Sequence, residues 1–135
     1  MKFFFDHCVC YRYAHSIRPL TKWDGNDAFA LIDLLSPDAT DEEWMTYLAQ
    51  SGDLWGVITQ DLGDPAHPAK ISELVSQKII VFILHRTWMR HNFWLQAYRL
   101  VQWWPQIQMD AKKANPGTVH DVPFRFTSGR SLIRR

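Results

Sequence analysis

Hydrophobic residues in this chain fall into short continuous runs, and longer stretches with helical spacing lie between them. The first run ends at Asp6, and the run from Ile79 to Leu84 is the most strand-like in the chain. Short apolar runs without polar alternation are typical of strands that are buried on both faces of a parallel sheet. The predicted strands are Lys2–Phe5, Ala28–Leu34, Trp55–Thr59 and Ile79–Leu84.

Helical segments follow each of these runs. Thr40 and Glu43 have the spacing of a capping box, which predicts a helix that begins there and ends near Gly52. Because strand and helix alternate about four times, the pattern predicts a parallel sheet that is covered on both faces. The other predicted helices are Tyr11–Ile17, which stops near Pro19, Ile71–Gln77, and Asn92–Lys113, which Pro105 should kink or divide.

The 135 residues fit one domain, which we place at residues 1–113. Residues 114–135 are rich in Gly, Pro, Ser, Thr and Arg with only scattered apolar residues. This composition predicts a basic tail that is either disordered or draped over the surface.

Charge is divided unevenly along the chain, although the net charge is only +1. Residues 1–64 carry four Lys or Arg against eleven Asp or Glu, and residues 65–135 carry eleven against three. An acidic half folded against a basic half can place carboxylates for a cation beside positive charge for a polyanion. The simpler explanation is that the two halves attract each other.

The sequence also narrows the compartment and the redox chemistry. No stretch approaches eighteen apolar residues, and Asp6 interrupts the apolar opening too early for a signal peptide. Cys8 and Cys10 are the only cysteines, and a pair this close does not form a disulfide framework. We therefore expect a cytoplasmic protein without a membrane span.

Several carboxylates follow predicted strands or begin a predicted helix. Asp6 ends the first strand, Asp61 follows the third, and Asp41 and Glu42 open the helix entered from the second. These positions share the carboxyl edge of the sheet, where ligands bind in parallel α/β folds. Converging carboxylates repel one another unless a cation lies between them, and Mg²⁺ or Mn²⁺ suits oxygen ligands. Thr59 adds a hydroxyl to this set.

Each acid also has a simpler explanation. Asp41 and Glu42 would interact favourably with the helix dipole without a metal, and Asp61 would suit a turn. Asp6 is harder to explain this way, because a carboxylate directly after an apolar strand is costly to desolvate without a partner.

Three segments resemble the PIN-like domain family, which is related to the VapC toxins of bacterial toxin–antitoxin systems. They are Phe3-Phe4-Phe5-Asp6, Asp41-Glu42-Glu43-Trp44 and Val57-Ile58-Thr59-Gln60-Asp61, and a hydrophobic strand follows them. The resemblance covers roughly residues 1–105. The sequence departs from the pattern after the first acid, where His7-Cys8 stands in place of a small polar residue such as Asn.

The resemblance implies a three-layer α/β/α fold with a central, mostly parallel sheet. It also implies acids that bind Mg²⁺ or Mn²⁺, and endoribonuclease activity that an antitoxin holds in check. Asp6, Asp41 and Asp61 match the acidic positions, and Thr59 matches the small hydroxyl position before the third acid. We favour Asp41 as the ligand of its motif. The fourth acid stays open among Glu42, Glu43 and Asp64.

Basic and aromatic residues after the last predicted strand are candidate RNA contacts. Arg86 and Arg90 can hold phosphates while Trp88 stacks on a base, although a tryptophan at a helix start is as often part of the core. The apolar face of the Asn92–Lys113 helix suits an antitoxin or a homodimer. A zinc site among His7, Cys8, Cys10 and His15 has no standard spacing, and a Cys8 nucleophile lacks an oxyanion-hole motif.

Two hypotheses follow for the function. The first is a metal-dependent endoribonuclease, the toxin of a toxin–antitoxin system, which hydrolyses RNA phosphodiesters at Asp6, Asp41 and Asp61 with Mg²⁺ or Mn²⁺. The alternative is a catalytically inactive PIN-like module that binds RNA or an antitoxin partner.

Overall fold

The structure is a computed structural model that describes every residue from Met1 to Arg135. Strands and helices alternate along most of the chain, as the hydrophobic pattern predicts. In order, the elements are β1 (Lys2–Phe5), α1 (Tyr11–Lys22), β2 (Asp27–Ala30), α2 (Leu31–Leu34), α3 (Asp41–Gln50), β3 (Trp55–Gln60), α4 (His67–Ser76), β4 (Ile80–Leu84), a 3-10 helix (Arg86–Arg90), α5 (Phe93–Lys113), β5 (Val119–Val122) and β6 (Ile133–Arg134).

The strands form one six-stranded sheet in the order β2-β1-β3-β4-β5-β6. β1 pairs in parallel with β2 on one side and β3 on the other, and β4 and β5 continue in the same direction. Only β6 runs antiparallel, beside β5. The mostly parallel sheet of the predicted fold is confirmed, and the carboxyl ends of its first five strands share one edge.

The two faces of the sheet are buried against different helices. Phe3 and Phe4 point to opposite faces, as neighbouring strand residues must. Phe3 packs edge-on against Trp104 of α5 at 4.8 Å between ring centroids, and Phe4 packs against Trp44 of α3 at 4.7 Å. α1 shares the first face with α5, and α4 shares the second with α3. The result is a three-layer α/β/α arrangement.

Two local expectations were wrong, and the division of a third element did not occur. The run Ala28–Leu34 is strand only as far as Ala30, because the Asp33 carboxylate accepts a hydrogen bond from the Ala30 N–H at 2.7 Å and closes a helical turn. α1 continues through Pro19, and α5 is not divided at Pro105. A proline within a helix costs about 3 kcal/mol. In α5, burial of Trp103, Trp104 and Ile107 offsets that cost.

The segment after Lys113, expected to be a disordered or draped tail, instead contributes β5 and β6 to the sheet. Val122 of β5 is fully buried. The buried Asp110 of α5 accepts a hydrogen bond from the Leu132 N–H at 2.7 Å, and Leu132 itself joins the core. The scattered apolar residues of this segment therefore anchor it. None of the helices is both long and apolar enough to cross a membrane.

His120 of β5 gives the fold a testable pH dependence. The ring is buried and stacks on Phe82, and burial lowers its pKa below the ordinary value. The unfolded chain therefore binds a proton near pH 6.5 that the folded chain resists, so stability is lost as the pH falls below about 6.5. His120→Phe should reduce the loss of melting temperature between pH 7 and pH 5, measured by circular dichroism. An unchanged slope would contradict this assignment.

Candidate active site

The predicted acids lie along the carboxyl edge of the sheet. Asp6 follows β1 directly, Asp61 follows β3 directly, and Asp41 is the first residue of α3. Thr40 and Glu43 form the predicted capping box, in which the Thr40 hydroxyl accepts from the Glu43 N–H at 3.2 Å. β1 and β3 are neighbours in the sheet, and this pairing brings the carboxyl ends of both strands to the same region.

Asp6 lies at the centre of this region and is only 1% exposed. Its Oδ2 atom accepts hydrogen bonds from the Thr59 hydroxyl at 2.8 Å and the Lys70 ammonium at 2.7 Å, and the Cys8 thiol lies at 3.5 Å. Its Oδ1 atom is buried and accepts no hydrogen bond from the protein. The two oxygens of one carboxylate thus have opposite surroundings.

Lys70 of α4 joins Asp6 to Asp41. Its Nζ lies 3.9 Å from Asp41 Oδ2, and its side chain is only 16% exposed. Burial lowers the pKa of the Lys70 ammonium, but the Asp6 carboxylate outweighs it, so the pKa is raised above its ordinary value. Asp41 also accepts a hydrogen bond from the Trp44 indole at 3.0 Å, which orients its other oxygen. Lys70 is therefore charged in the folded protein.

Asp61 has a different environment. Its Oδ1 accepts a hydrogen bond from the Gly63 N–H at 2.9 Å, and its Oδ2 lies 3.7 Å from the Arg86 guanidinium. The hydrogen bond from Gly63 and the nearby positive charge of Arg86 hold the pKa of Asp61 below its ordinary value. Asp61 therefore stays ionised and lines a polar pocket with Arg86, His67 and Arg135.

Thr59 and His67 form the link between these two environments. The buried Thr59 hydroxyl donates its proton to Asp6 and lies 3.3 Å from His67 Nε2. Because that hydroxyl has a single proton, His67 must donate to it through Nε2. Burial and the Lys70 charge lower the pKa of His67, which favours the neutral ring.

The arrangement does not gather three acids around one point. No group of three or more His, Cys, Asp or Glu side chains lies close enough together to hold a metal ion. The structure brings Asp6 and Asp41 to Lys70 and places Asp61 beside Arg86. The structure thus leaves the role of the site residues as a prediction; these residues are Asp6, Asp41, Asp61, Thr59 and Glu42. The donors nevertheless fit a hard divalent ion in kind, since they are carboxylate and hydroxyl oxygens and Asp6 Oδ1 has no other partner.

The three candidates for a fourth acid lie in ordinary surface environments. Glu42 is exposed, and Glu43 is engaged in the capping box. Asp64 accepts a hydrogen bond from the Ala66 N–H at 2.9 Å, within its own turn. These contacts explain Glu43 and Asp64 without a ligand, and the choice among the three stays open.

The structure does not support the alternative sites that involve Cys8 and Cys10, a zinc site or a cysteine nucleophile. Cys10 is exposed, and Cys8 turns towards Asp6, Thr59 and the Gln60 carbonyl. Burial and the Asp6 charge raise the pKa of the Cys8 thiol, which disfavours the thiolate that a nucleophile needs.

The prediction that Trp88 contacts RNA is wrong. Its side chain is 1% exposed, and its indole donates a hydrogen bond to the Val122 carbonyl at 2.8 Å. A ring held in this way is part of the core and cannot stack on a base. Arg86 and Arg90 are exposed on the same 3-10 helix and stay predictions.

Sequence reasoning missed Lys70 and His67. Both lie on α4, three residues apart, so they share one face of the helix. The predicted helix started only at Ile71, which left both residues in a loop. The signal that was available is His67-Pro68, since proline is favoured in the first turn of a helix.

A comparison with protein families gives one match, to the family described as PIN like domain, over residues 1–86. The chain therefore belongs to the PIN-like domain family. The matched part runs from β1 through β4 and includes Asp6, Asp41, Thr59, Asp61 and Lys70. Neither the curated proteins nor the solved structures gave a match.

Proposed function

We propose that this chain is a metal-dependent endoribonuclease that hydrolyses RNA phosphodiesters at the carboxyl edge of its sheet. The observation that carries the proposal is the buried Asp6, whose Oδ1 has no partner while its Oδ2 is held by Thr59 and Lys70. A buried carboxylate oxygen without a donor is costly, and a bound cation would remove that cost. Family membership supports a nuclease in general terms.

Asp6 would be the first ligand of Mg²⁺ or Mn²⁺, and Asp41 and Asp61 would have to move towards the ion, because the three carboxylates do not surround one point without it. When bound, such an ion supplies an activated water and stabilises the charge that develops on the phosphodiester. The chain's own residues prepare the site: Thr59 and Lys70 fix the orientation of Asp6, and Gly63 fixes that of Asp61.

RNA would approach from the side of Asp61. Arg86 and Arg135 line the pocket there and are 65% and 50% exposed, so each guanidinium still presents N–H groups to phosphates although it pairs with Asp61 or Asp121. Arg90 extends this positive surface along the 3-10 helix, and Arg134 lies in β6. Guanidinium groups are well suited to bidentate phosphate contacts.

The finer biological assignment, a toxin controlled by an antitoxin, rests on the resemblance of the sequence to VapC relatives. One structural feature supports a protein partner: α5 presents the exposed apolar residues Trp94, Tyr98 and Val101, spaced four and three residues apart. This spacing forms one stripe on the helix. We propose an antitoxin as its partner, and a second copy of the chain would use the same stripe.

A specific observation favours the second candidate, an inactive PIN-like module that binds RNA or an antitoxin. Lys70 already neutralises Asp6 and approaches Asp41, so Asp6 does not require a metal for charge balance. In that case the basic surface around Arg86 and Arg135 would still bind RNA.

A direct experiment distinguishes the metal-dependent nuclease from the inactive module. A labelled single-stranded RNA incubated with the protein should be cut internally when Mn²⁺ is present and stay intact when EDTA replaces it, because the acids need the ion to act on a phosphodiester. Gel analysis of the products measures this. RNA that is bound but uncut in Mn²⁺ and Mg²⁺ would contradict the nuclease and favour the inactive module.

A further inference from the structure

Lys70 is the one lysine placed among the candidate metal ligands. Its Nζ lies 2.7 Å from Asp6 Oδ2 and 3.9 Å from Asp41 Oδ2, and only 16% of its side chain is exposed. An ammonium that contacts two carboxylates from separate elements is the arrangement expected of a bound cation. Here the cation is part of the protein.

The two oxygens of Asp6 are not both occupied by this ammonium. Its Oδ2 takes the donors Thr59 and Lys70, and its Oδ1 takes none. An ion on Oδ1 would not compete with Lys70 for the same oxygen. Lys70 can therefore stay in place when the site is loaded.

The charges at the edge of the sheet limit how many ions fit. Among the groups that form ion pairs there, Asp6, Asp41 and Asp61 are opposed by Lys70 and Arg86, so three carboxylates face two cations. One negative charge remains, and a single divalent ion already exceeds it. A second divalent ion would add to positive charge in a partly buried site, where such repulsion is strong.

We propose that Lys70 acts as a permanent counter-ion of the acidic centre, which restricts it to one divalent ion and weakens the binding of that ion. The inference rests on the proposed metal-dependent function and deepens it. Lys70 supplies the positive charge that a second metal would otherwise bring to the centre. It is a residue of the site that none of the acidic motifs contains.

The experiment is a calorimetric titration with Mn²⁺ of the full chain and of Lys70→Met, which keeps an unbranched apolar chain as far as Cε and removes the ammonium. The wild type should bind one ion per chain. Lys70→Met should bind its first ion about tenfold more tightly or more, because a repelling charge has been removed. Without metal it should melt at a lower temperature than the wild type, and saturating Mn²⁺ should raise its melting temperature more than that of the wild type.

Two further variants serve as controls. Lys70→Arg keeps the charge and should retain one ion at near wild-type affinity. Lys2→Met removes a lysine that pairs with Asp53. Lys2 begins β1, at the end of the strand away from Asp6, so this variant should leave metal binding unchanged. Circular dichroism establishes that each variant is folded.

The outcomes separate this inference from the proposed function. Two ions bound by the wild type, or an affinity of folded Lys70→Met that is equal to or weaker than wild type, would overturn the role of Lys70 while metal-dependent cleavage could persist. A wild type that binds no Mn²⁺ and cleaves no RNA would overturn both.

Discussion

Replacing Asp6 with Asn should reduce RNA cleavage about a thousandfold, the scale on which one electrostatic group of a catalytic site acts. The amide can still accept a hydrogen bond from Thr59, but it brings no negative charge to the buried position. Its oxygen is therefore a much weaker ligand for a divalent ion. Cleavage rates of a labelled RNA in Mn²⁺, compared with wild type at equal concentration, measure the effect.

The fold of the Asp6→Asn protein should survive with a moderate loss of stability. Lys70 loses its closest partner, and a hydrogen bond between charged groups contributes about 2 kcal/mol. Lys70 can then move towards Asp41, which lies 3.9 Å away. Chemical denaturation measures this loss, so that unfolding is not mistaken for lost chemistry.

Asp53 provides the matched control for Asp6. It also forms an ion pair with a lysine, Lys2, but lies 41% exposed and away from the candidate site. Asp53→Asn should therefore cleave RNA at the wild-type rate. Normal cleavage by folded Asp6→Asn would show that the chemistry does not occur at Asp6.

The sheet and the positions of the acids could be predicted because they depend on local patterns. Phe3–Phe5 and Ile80–Leu84 are apolar throughout, as strands covered on both faces must be. Asp6 follows such a strand, and the rule that parallel strands end at one edge then places it near Asp61. The capping box at Thr40 and Glu43 likewise requires only four consecutive residues.

What could not be predicted depends on contacts between distant residues. Lys70 lies 64 residues from Asp6, and nothing in its local sequence distinguishes it from a lysine in solvent. β5 was hidden because His120 and Asp121 make its sequence polar, and only pairing with β4 makes it a strand. The pattern thus located the carboxylates but not the cations that oppose them.

Ion pairs at the candidate site explain the uneven distribution of charge between the two halves of the chain. The ion pairs that join residues 1–64 to residues 65–135 are those of Lys70 with Asp6 and Asp41 and that of Arg86 with Asp61. All of them lie at the candidate site. The same ion pairs therefore hold the two halves together and form part of the candidate site. From the sequence alone, these were two alternative explanations of the uneven charge.

Trp88 should prove to be a core residue, and its removal should be among the most destabilising substitutions in the chain. The ring is 1% exposed, packs edge-on against Phe124 at 5.3 Å, and donates to the Val122 carbonyl. Trp88→Ala should cost about 3–5 kcal/mol. For a domain of this size that lowers the melting temperature by roughly 10–20 °C. Thermal and chemical unfolding measure both quantities.

Two variants separate stability from RNA binding. Trp88→Phe keeps an aromatic ring but removes one of the two donors to the Val122 carbonyl, which still accepts a hydrogen bond from the His85 N–H at 3.0 Å. The loss of that one hydrogen bond should cost about 1 kcal/mol. Its folded form should bind RNA as tightly as wild type, because the ring does not reach the surface. Trp94, which is 74% exposed on α5, gives the matched control, and Trp94→Ala should change the melting temperature little. A Trp88→Phe protein with wild-type stability and weakened RNA binding would return Trp88 to the RNA surface.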